Sequence, residues 1–491
     1  MPKIADEIYK ILAKYTGSIY GNPGTTELPF LKYIPENMNY YLALHDGIAV
    51  GMSEGYYLKT GKLGISNLHA GPGLSNSFGY IYSAYHNKSP LLIIVGQQAS
   101  HTFVDEPMLY YNFHSLPYVK DYIVIKNSKE VIKSFNRAIR TCLSPPYGPV
   151  IVSLPYDIAD IESHEEYIDQ GEIKYSNLCD DTNVKEVAER INSSYQVAII
   201  AGYEIDVYEA WEELRTLAEK LKTPIYVEPY LSRSVGVKIT DTLPTRASEI
   251  NKIIRNYDFV LVVGAELHRV LYADEEIEWK KAIQITSDLN EARKRPWSSI
   301  VCNIKDFLIK LSSLVKPKNE KSISIIRERK IDEKIYNVMK NLRDKLNGYT
   351  VFSEASSHGE IIRKMFSEGK HSFYTNRAGL LGWALPAGIG YSSAGGKSLI
   401  ILGDGSFNYT PQALWTASRY SLDVRILLIN NRGYESLRMR AGYNKDFFSP
   451  VTHPWRVAMA YDFDSREFDD PNNAVRWLME GNPRKLAEII E

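Results

Sequence analysis

The chain reads as an α/β protein of three doubly wound parallel-sheet domains, and three observations predict it. Its 491 residues exceed what one hydrophobic core supports. Short β-branched runs (LLIIV at 91–95, QVAIIAG at 196–202, FVLVV at 259–263, SLIIL at 398–402) alternate with helical patterns along the whole length. Two polar stretches, 159–177 and 316–335, divide that pattern into three blocks.

The first block, 1–170, opens on an amphipathic helix (MPKIADEIYKILAKY) that lacks a signal peptide's apolar centre and cleavage site. A short strand (GSIYG) follows, and PVIVSLP closes the block. The central block, 186–316, carries QVAIIAG, PIYVEP, FVLVVGA and KAIQITSD as strands. The third block, 331–491, ends on NPRKLAEIIE, which the spacing predicts as a helix with no closing strand. Net charge is −1 with 24% charged residues, so no global field recruits nucleic acid or a membrane surface. The longest apolar stretches are strand-sized, far short of a membrane span. Cys142, Cys179 and Cys302 lie far apart with no metal-type spacing, which fits a reducing, cytoplasmic setting.

Residues 403–431 hold the most informative motif. Gly403-Asp404-Gly405 ends the apolar run SLIIL, and Asn430-Asn431 ends a second, VRILLI. The 24 residues between Gly405 and Asn430 suit one helix with its turns, so the segment reads as a βαβ unit. Two neighbouring strands would then present a carboxylate and an amide oxygen at their carboxyl ends, where open α/β sheets bind ligands. Hard oxygens of this kind suit Mg²⁺ and leave coordination positions for phosphate. The flanking glycines let the backbone approach a phosphate closely.

The pattern of GDG and a distant NN resembles the thiamine-diphosphate motif. GNPGTTELPFL at 21–31, NLHAGPG at 67–73 and GLLGWALPAGIG at 379–390 are similar to segments of the benzoylformate decarboxylase/acetolactate synthase group. The resemblance covers nearly the whole chain and is thinnest in the central block. It implies thiamine diphosphate and Mg²⁺ as cofactors, in a pyrimidine-binding (1–170), central (186–316) and diphosphate-binding (331–491) order. Asp404, the Asn431 side chain and the Gly433 carbonyl would hold the metal. Ser356, Ser357, Gly405, Ser406 and Tyr434 would contact the diphosphate. Gly379 would offer its carbonyl to the aminopyrimidine, and Leu381 would wedge beneath the cofactor, unless it is ordinary core.

The same resemblance assigns the first block. Thr25 would face a substrate carboxylate, although a turn and cap also explain its segment. Asp46 stands where the family carries an activating glutamate, one methylene or about 1.5 Å shorter. A helix cap is the other reading of Asp46. His69 would be a general acid/base, where a lone histidine after a strand is otherwise structural. A second active-site histidine falls on Leu271, with His268 nearby. Arg377, Ser436 and Arg440 would line the substrate pocket and favour a small or dianionic 2-oxo acid if they face it.

The implied activity is non-oxidative decarboxylation of a 2-oxo acid, with carboligation as a companion. An acetolactate synthase-type carboligase, a non-catalytic cofactor-binding paralogue and a generic Mg²⁺-phosphate protein are the alternatives. The central block lacks a Gly-rich dinucleotide turn, which speaks against FAD. A homodimer is the implied minimum and a homotetramer the implied assembly.

Overall fold

A computed structural model describes residues 2–113, 115–163, 177–267, 270–278, 280–294, 298–328, 332–443 and 445–491. Three six-stranded parallel sheets form, one for each block of the sequence. The first holds β1 (Ser18–Asn22), β2 (Asn39–Leu42), β3 (Gly64–Leu68), β4 (Leu91–Gln97), β5 (Asp121–Val124) and β6 (Val150–Pro155). The second holds β7 (Val197–Ala201), β8 (Ile225–Val227), β9 (Asp241–Thr242), β10 (Phe259–Val263), β11 (Ala282–Thr286) and β12 (Ser299–Val301). The third holds β13 (Thr350–Glu354), β14 (Phe373–Thr375), β15 (Ser398–Gly403), β16 (Val424–Asn430), β17 (Asp464–Phe468) and β18 (Lys485–Ile490).

Strand order is β2-β1-β3-β4-β6-β5 in the first sheet and β14-β13-β15-β16-β18-β17 in the third. Counted from their own first strands, the two orders are the same. The middle sheet runs β12-β11-β10-β7-β8-β9, the order of a dinucleotide-binding fold. Every residue of β4 and of β16 is buried, as parallel strands covered on both faces require. Helices with an apolar stripe supply the cover, such as Val131–Cys142, which buries Val131, Ile132, Phe135, Ala138 and Ile139.

Chain contacts divide the molecule into two compact units, residues 1–174, 347–356 and 376–491, and residues 175–346 and 357–375. In the first unit the helices Asp46–Thr60 and Ala384–Ser393 pack almost backbone to backbone. A Cβ on Gly55 would lie 1.9 Å from the Ala387 carbonyl, and one on Gly390 would lie 2.0 Å from that of Met52. Only glycine permits this approach, which fixes Asp46 and the Leu381 loop at the amino ends of two locked helices. In the second unit Val197, Ile199, Phe259 and Leu261 pack with Trp211, Leu214 and Phe307. Ile200, Val260, Tyr226 and Tyr257 form a separate core.

Two expectations need correction. The C-terminal segment is not a helix: Lys485–Ile490 is β18, and it lies between β16 and β17 in the sheet. Charged Lys485 and Glu488 gave the segment a helical look, yet both side chains are buried and bonded. Asn430 Nδ2 donates to Glu488, and Lys485 donates to the Trp477 and Glu480 carbonyls at 2.8 Å. The cysteines are not all free thiols either. Cys179 and Cys302 form a disulfide across 123 residues of sequence, leaving Cys142 as a buried thiol. Sequence spacing hid the pair because the fold brings Cys179, before β7, beside Cys302, just after β12, and the cysteine argument for a reducing compartment falls with it. Among the described residues no helix is long and apolar enough to cross a membrane.

Candidate active site

Asp46 opens the helix Asp46–Thr60, but the cap is its neighbour: His45 Nδ1 accepts the Gly47 N–H at 3.0 Å. The Asp46 side chain is buried, with Oδ1 accepting the His69 N–H and Oδ2 accepting Asn22 Nδ2, each at 3.2 Å. A Cβ on Gly73 would lie 2.4 Å from Asp46 Oδ1, so the glycine keeps space open for this carboxylate. The shorter side chain is therefore held in place from two sides.

His69 follows β3 with its ring partly exposed, and its Nδ1 lies 3.0 Å from Glu27 Oε2. Glu27 is only 1% exposed. Its carboxylate also accepts the Gly24 N–H at 2.7 Å, Thr26 Oγ1 at 2.6 Å and the Ala70 N–H at 3.3 Å. With the carboxylate as acceptor, the hydrogen-bond network assigns the imidazole hydrogen to Nδ1 and leaves Nε2 without a proton. Thr25 is exposed at the start of the turn Thr25–Glu27, whereas Thr26 is buried with its hydroxyl committed to Glu27. Sequence reasoning passed over Glu27. Its available signal was the spacing: a glutamate three residues after Gly24 reaches back to that residue's N–H, as in a capping box.

The metal-type motif gathers at the carboxyl ends of β15 and β16, which pair Gly403 with Ile429. Asp404 is buried, and burial raises its carboxyl above the usual range. Among the described residues its Oδ2 has no hydrogen-bond partner. One terminal atom of the Asn431 amide lies 3.2 Å from Asp404 Oδ1 and 2.8 Å from the Gly433 carbonyl. As nitrogen that atom donates to both oxygens. As oxygen it completes a carboxylate–amide–carbonyl cluster that a cation between the three would satisfy. These residues therefore fit a hard divalent ion. Gly433 sits at φ 143°, and a Cβ there would lie 2.2 Å from the Phe448 carbonyl, so no other residue fits this turn. Asn430 serves the fold instead, with its Oδ1 accepting the Arg432 N–H at 2.8 Å.

The remaining expected residues differ in burial and in partners. A Cβ on Gly405 would lie 3.1 Å from the Tyr434 ring, and Ser406 is buried with its hydroxyl donating to the Glu354 carbonyl at 2.9 Å. Gly379 is exposed at φ 74°, and Leu381 is half-buried. Arg377 is buried and its main-chain N–H donates to Asn87 Oδ1 at 3.1 Å. Ser436 and Arg440 ride on the helix Glu435–Ala441, which buries none of its side chains; Arg440 is fully on the surface side. Ser356 is exposed in the first unit, Ser357 half-buried in the second. Leu271 is 44% exposed in the second unit, and His268 lies outside the described residues.

Family profiles match all three blocks in order. Residues 2–111 match the N-terminal TPP binding domain of thiamine pyrophosphate enzymes, 184–311 the central domain and 357–480 the C-terminal TPP binding domain. The chain belongs to the thiamine pyrophosphate enzyme family. Within that family, benzoylformate decarboxylase of Pseudomonas aeruginosa is 29% identical over 468 residues, covering 90% of this chain and 88% of that protein. The acetolactate synthase large subunit of Buchnera aphidicola is 26% identical, covering 84% of this chain and 79% of that protein. Among solved structures, benzoylformate decarboxylase from Polynucleobacter necessarius superimposes with a TM-score of 0.90 at 26% identity over 100% of this chain and 98% of that chain. The 4-hydroxybenzoylformate decarboxylase of Rhodococcus jostii gives 0.90 and 26%, over 99% and 98%. This thiamine pyrophosphate enzyme is thus benzoylformate decarboxylase-like in sequence and architecture.

Proposed function

We propose that the protein binds thiamine diphosphate with Mg²⁺ and decarboxylates a 2-oxo acid without oxidation, releasing an aldehyde or joining the product to a second carbonyl compound. The convergence of Asp404 Oδ1, the Asn431 amide and the Gly433 carbonyl carries this reading. Those three would hold the metal, and Gly405, Ser406, Tyr434, Ser356 and Ser357 would meet the diphosphate. When bound, thiamine diphosphate supplies the electron sink that lets carbon dioxide leave a 2-oxo acid. The chain's own residues do the rest. Asp46, held by Asn22 and the His69 N–H, presents a fixed carboxylate to the aminopyrimidine. His69, oriented by Glu27, takes or gives a proton at Nε2. Arg377 and Arg440, with Thr25 and Ser436, would select the substrate's acid groups. The reading includes a homodimer at least, because the resemblance places such sites between two copies.

The acetolactate synthase-type reading associates the central domain with FAD, and one observation weighs against it. A dinucleotide would lie at the switch point between β7 and β10, meeting backbone N–H donors with its diphosphate. At those strand ends the Tyr203 and Glu266 N–H groups already donate to the Glu228 carboxylate, at 2.9 and 2.7 Å. Glu204 is buried at the same end of β7, its carboxyl pushed up to about 7 by burial. Two side-chain acids stand where a diphosphate would need positive potential.

Titration calorimetry with Mg²⁺ and thiamine diphosphate, followed by a carbon dioxide release screen over 2-oxo acids, tests the proposal. Binding to the unaltered protein, its loss in Asp404→Ala and turnover of at least one 2-oxo acid are expected. Equal binding by Asp404→Ala would remove the metal assignment, and binding without any turnover would favour the non-catalytic paralogue.

A further inference from the structure

The loop that carries Leu381 is held by polar groups rather than by core packing. Residues 378–381 are exposed or half-buried, and Gly379 and Gly382 take φ values of 74° and 88°. Glu354, the last residue of β13, is buried directly behind them. One of its carboxylate oxygens accepts the Gly382 N–H, and the other accepts the Ala384 N–H at 2.7 Å. The carboxylate thus grips the chain at two points just past Leu381, at the amino end of the helix Ala384–Ser393. The carbonyl of the same residue accepts Ser406 Oγ at 2.9 Å, two positions beyond Asp404. A single strand end therefore ties the Leu381 loop to the metal-type turn. Tyr80 and Thr410 hydroxyls, donating to the Gly382 carbonyl at 3.0 and 3.1 Å, hold the opposite side of the loop.

We propose that Glu354 is a positioning residue that sets Leu381 at a fixed distance from the Asp404–Asn431–Gly433 cluster and acts on the reaction only through this loop. The inference rests on the thiamine diphosphate reading above. Both carboxylate oxygens are required. Glutamine offers one acceptor and one donor, so either the Gly382 or the Ala384 N–H would face an amide NH₂ whichever way it turned. Aspartate keeps both acceptors, set back by about 1.5 Å.

Hydrogen–deuterium exchange of the full-length, cofactor-free protein, resolved within residues 376–388, tests the grip without relying on turnover. In the unaltered protein the Gly382 and Ala384 amides should exchange at least about 100-fold more slowly than those of Gly379 and Leu380. Glu354→Gln should speed the first pair about tenfold or more, the loss of one buried hydrogen bond, while Glu354→Asp restores most of the protection. With cofactor added, Glu354→Gln should lower kcat about 100-fold while KM and the thiamine diphosphate affinity stay within about threefold.

No contrast between the two amide pairs in the unaltered protein would overturn the proposal even if the glutamine variant failed to fold. Faster exchange with unchanged kcat would overturn it as well, since the reaction would not be reading the loop. Failure of the unaltered protein to bind thiamine diphosphate would instead sink the functional reading, and the exchange contrast would still decide whether the grip exists.

Discussion

In the proposed reaction His69 would work through the nitrogen that Glu27 leaves open. The bond from Nδ1 to Glu27 Oε2 fixes both the tautomer and the direction of the ring. Glu27→Gln removes the acceptor's charge and gives the imidazole a free choice of tautomer. We expect kcat for decarboxylation to fall about 100-fold, within the range for a misdirected general acid or base. Cofactor affinity, measured by calorimetry, should stay within about threefold, because no metal-type ligand has changed. This pair also marks how far the sequence could be read at the level of single residues. That Asp404 lies near the Asn430-Asn431 end is legible because adjacent strand ends and their spacing bring them together, whereas Gly433 came only with the family resemblance. Glu27 is not legible, because a glutamate in a turn looks like a cap until the fold places it beside a histidine 42 residues away.

Strand β18 carries the clearest lesson about elements. A segment of lysine, alanine and glutamate among aliphatics has helical character by propensity, and tertiary pairing overrides it. Gly481 and Pro483, which break the chain just before it, were the readable sign of a new element. Its neighbours on both sides depend on it, through the registers Ile426–Leu486 and Ser465–Leu486. Leu486→Asp would put an unpaired charge at a fully buried site in that sheet. We expect a loss of at least about 4 kcal/mol in urea unfolding, large against a whole domain's stability. A loss below about 1 kcal/mol, the scale of an exposed edge, would contradict this placement of β18. The helices Asp46–Thr60 and Ala384–Ser393 give the opposite case. Small residues stand on both of them in the sequence, and the structure uses Gly55 and Gly390 for backbone-close packing.

At the scale of the whole molecule, the alternation of strands and helices was enough to give three parallel sheets in their order. The shared strand order of the first and third sheets was not readable, because topology is conserved in space and leaves no repeat in the residues. The cystine was hidden for a related reason: β7 to β12 all lie between its halves in the sequence. Tying Cys179 to Cys302 makes the segment 179–302 of the second unit a closed ring in an otherwise open chain. Such a ring cannot be pulled straight. Stretched end to end in an optical trap, the oxidised protein should yield about 400 Å less contour than the reduced one, since each of the 123 residue steps from Cys179 to Cys302 would otherwise add about 3.4 Å.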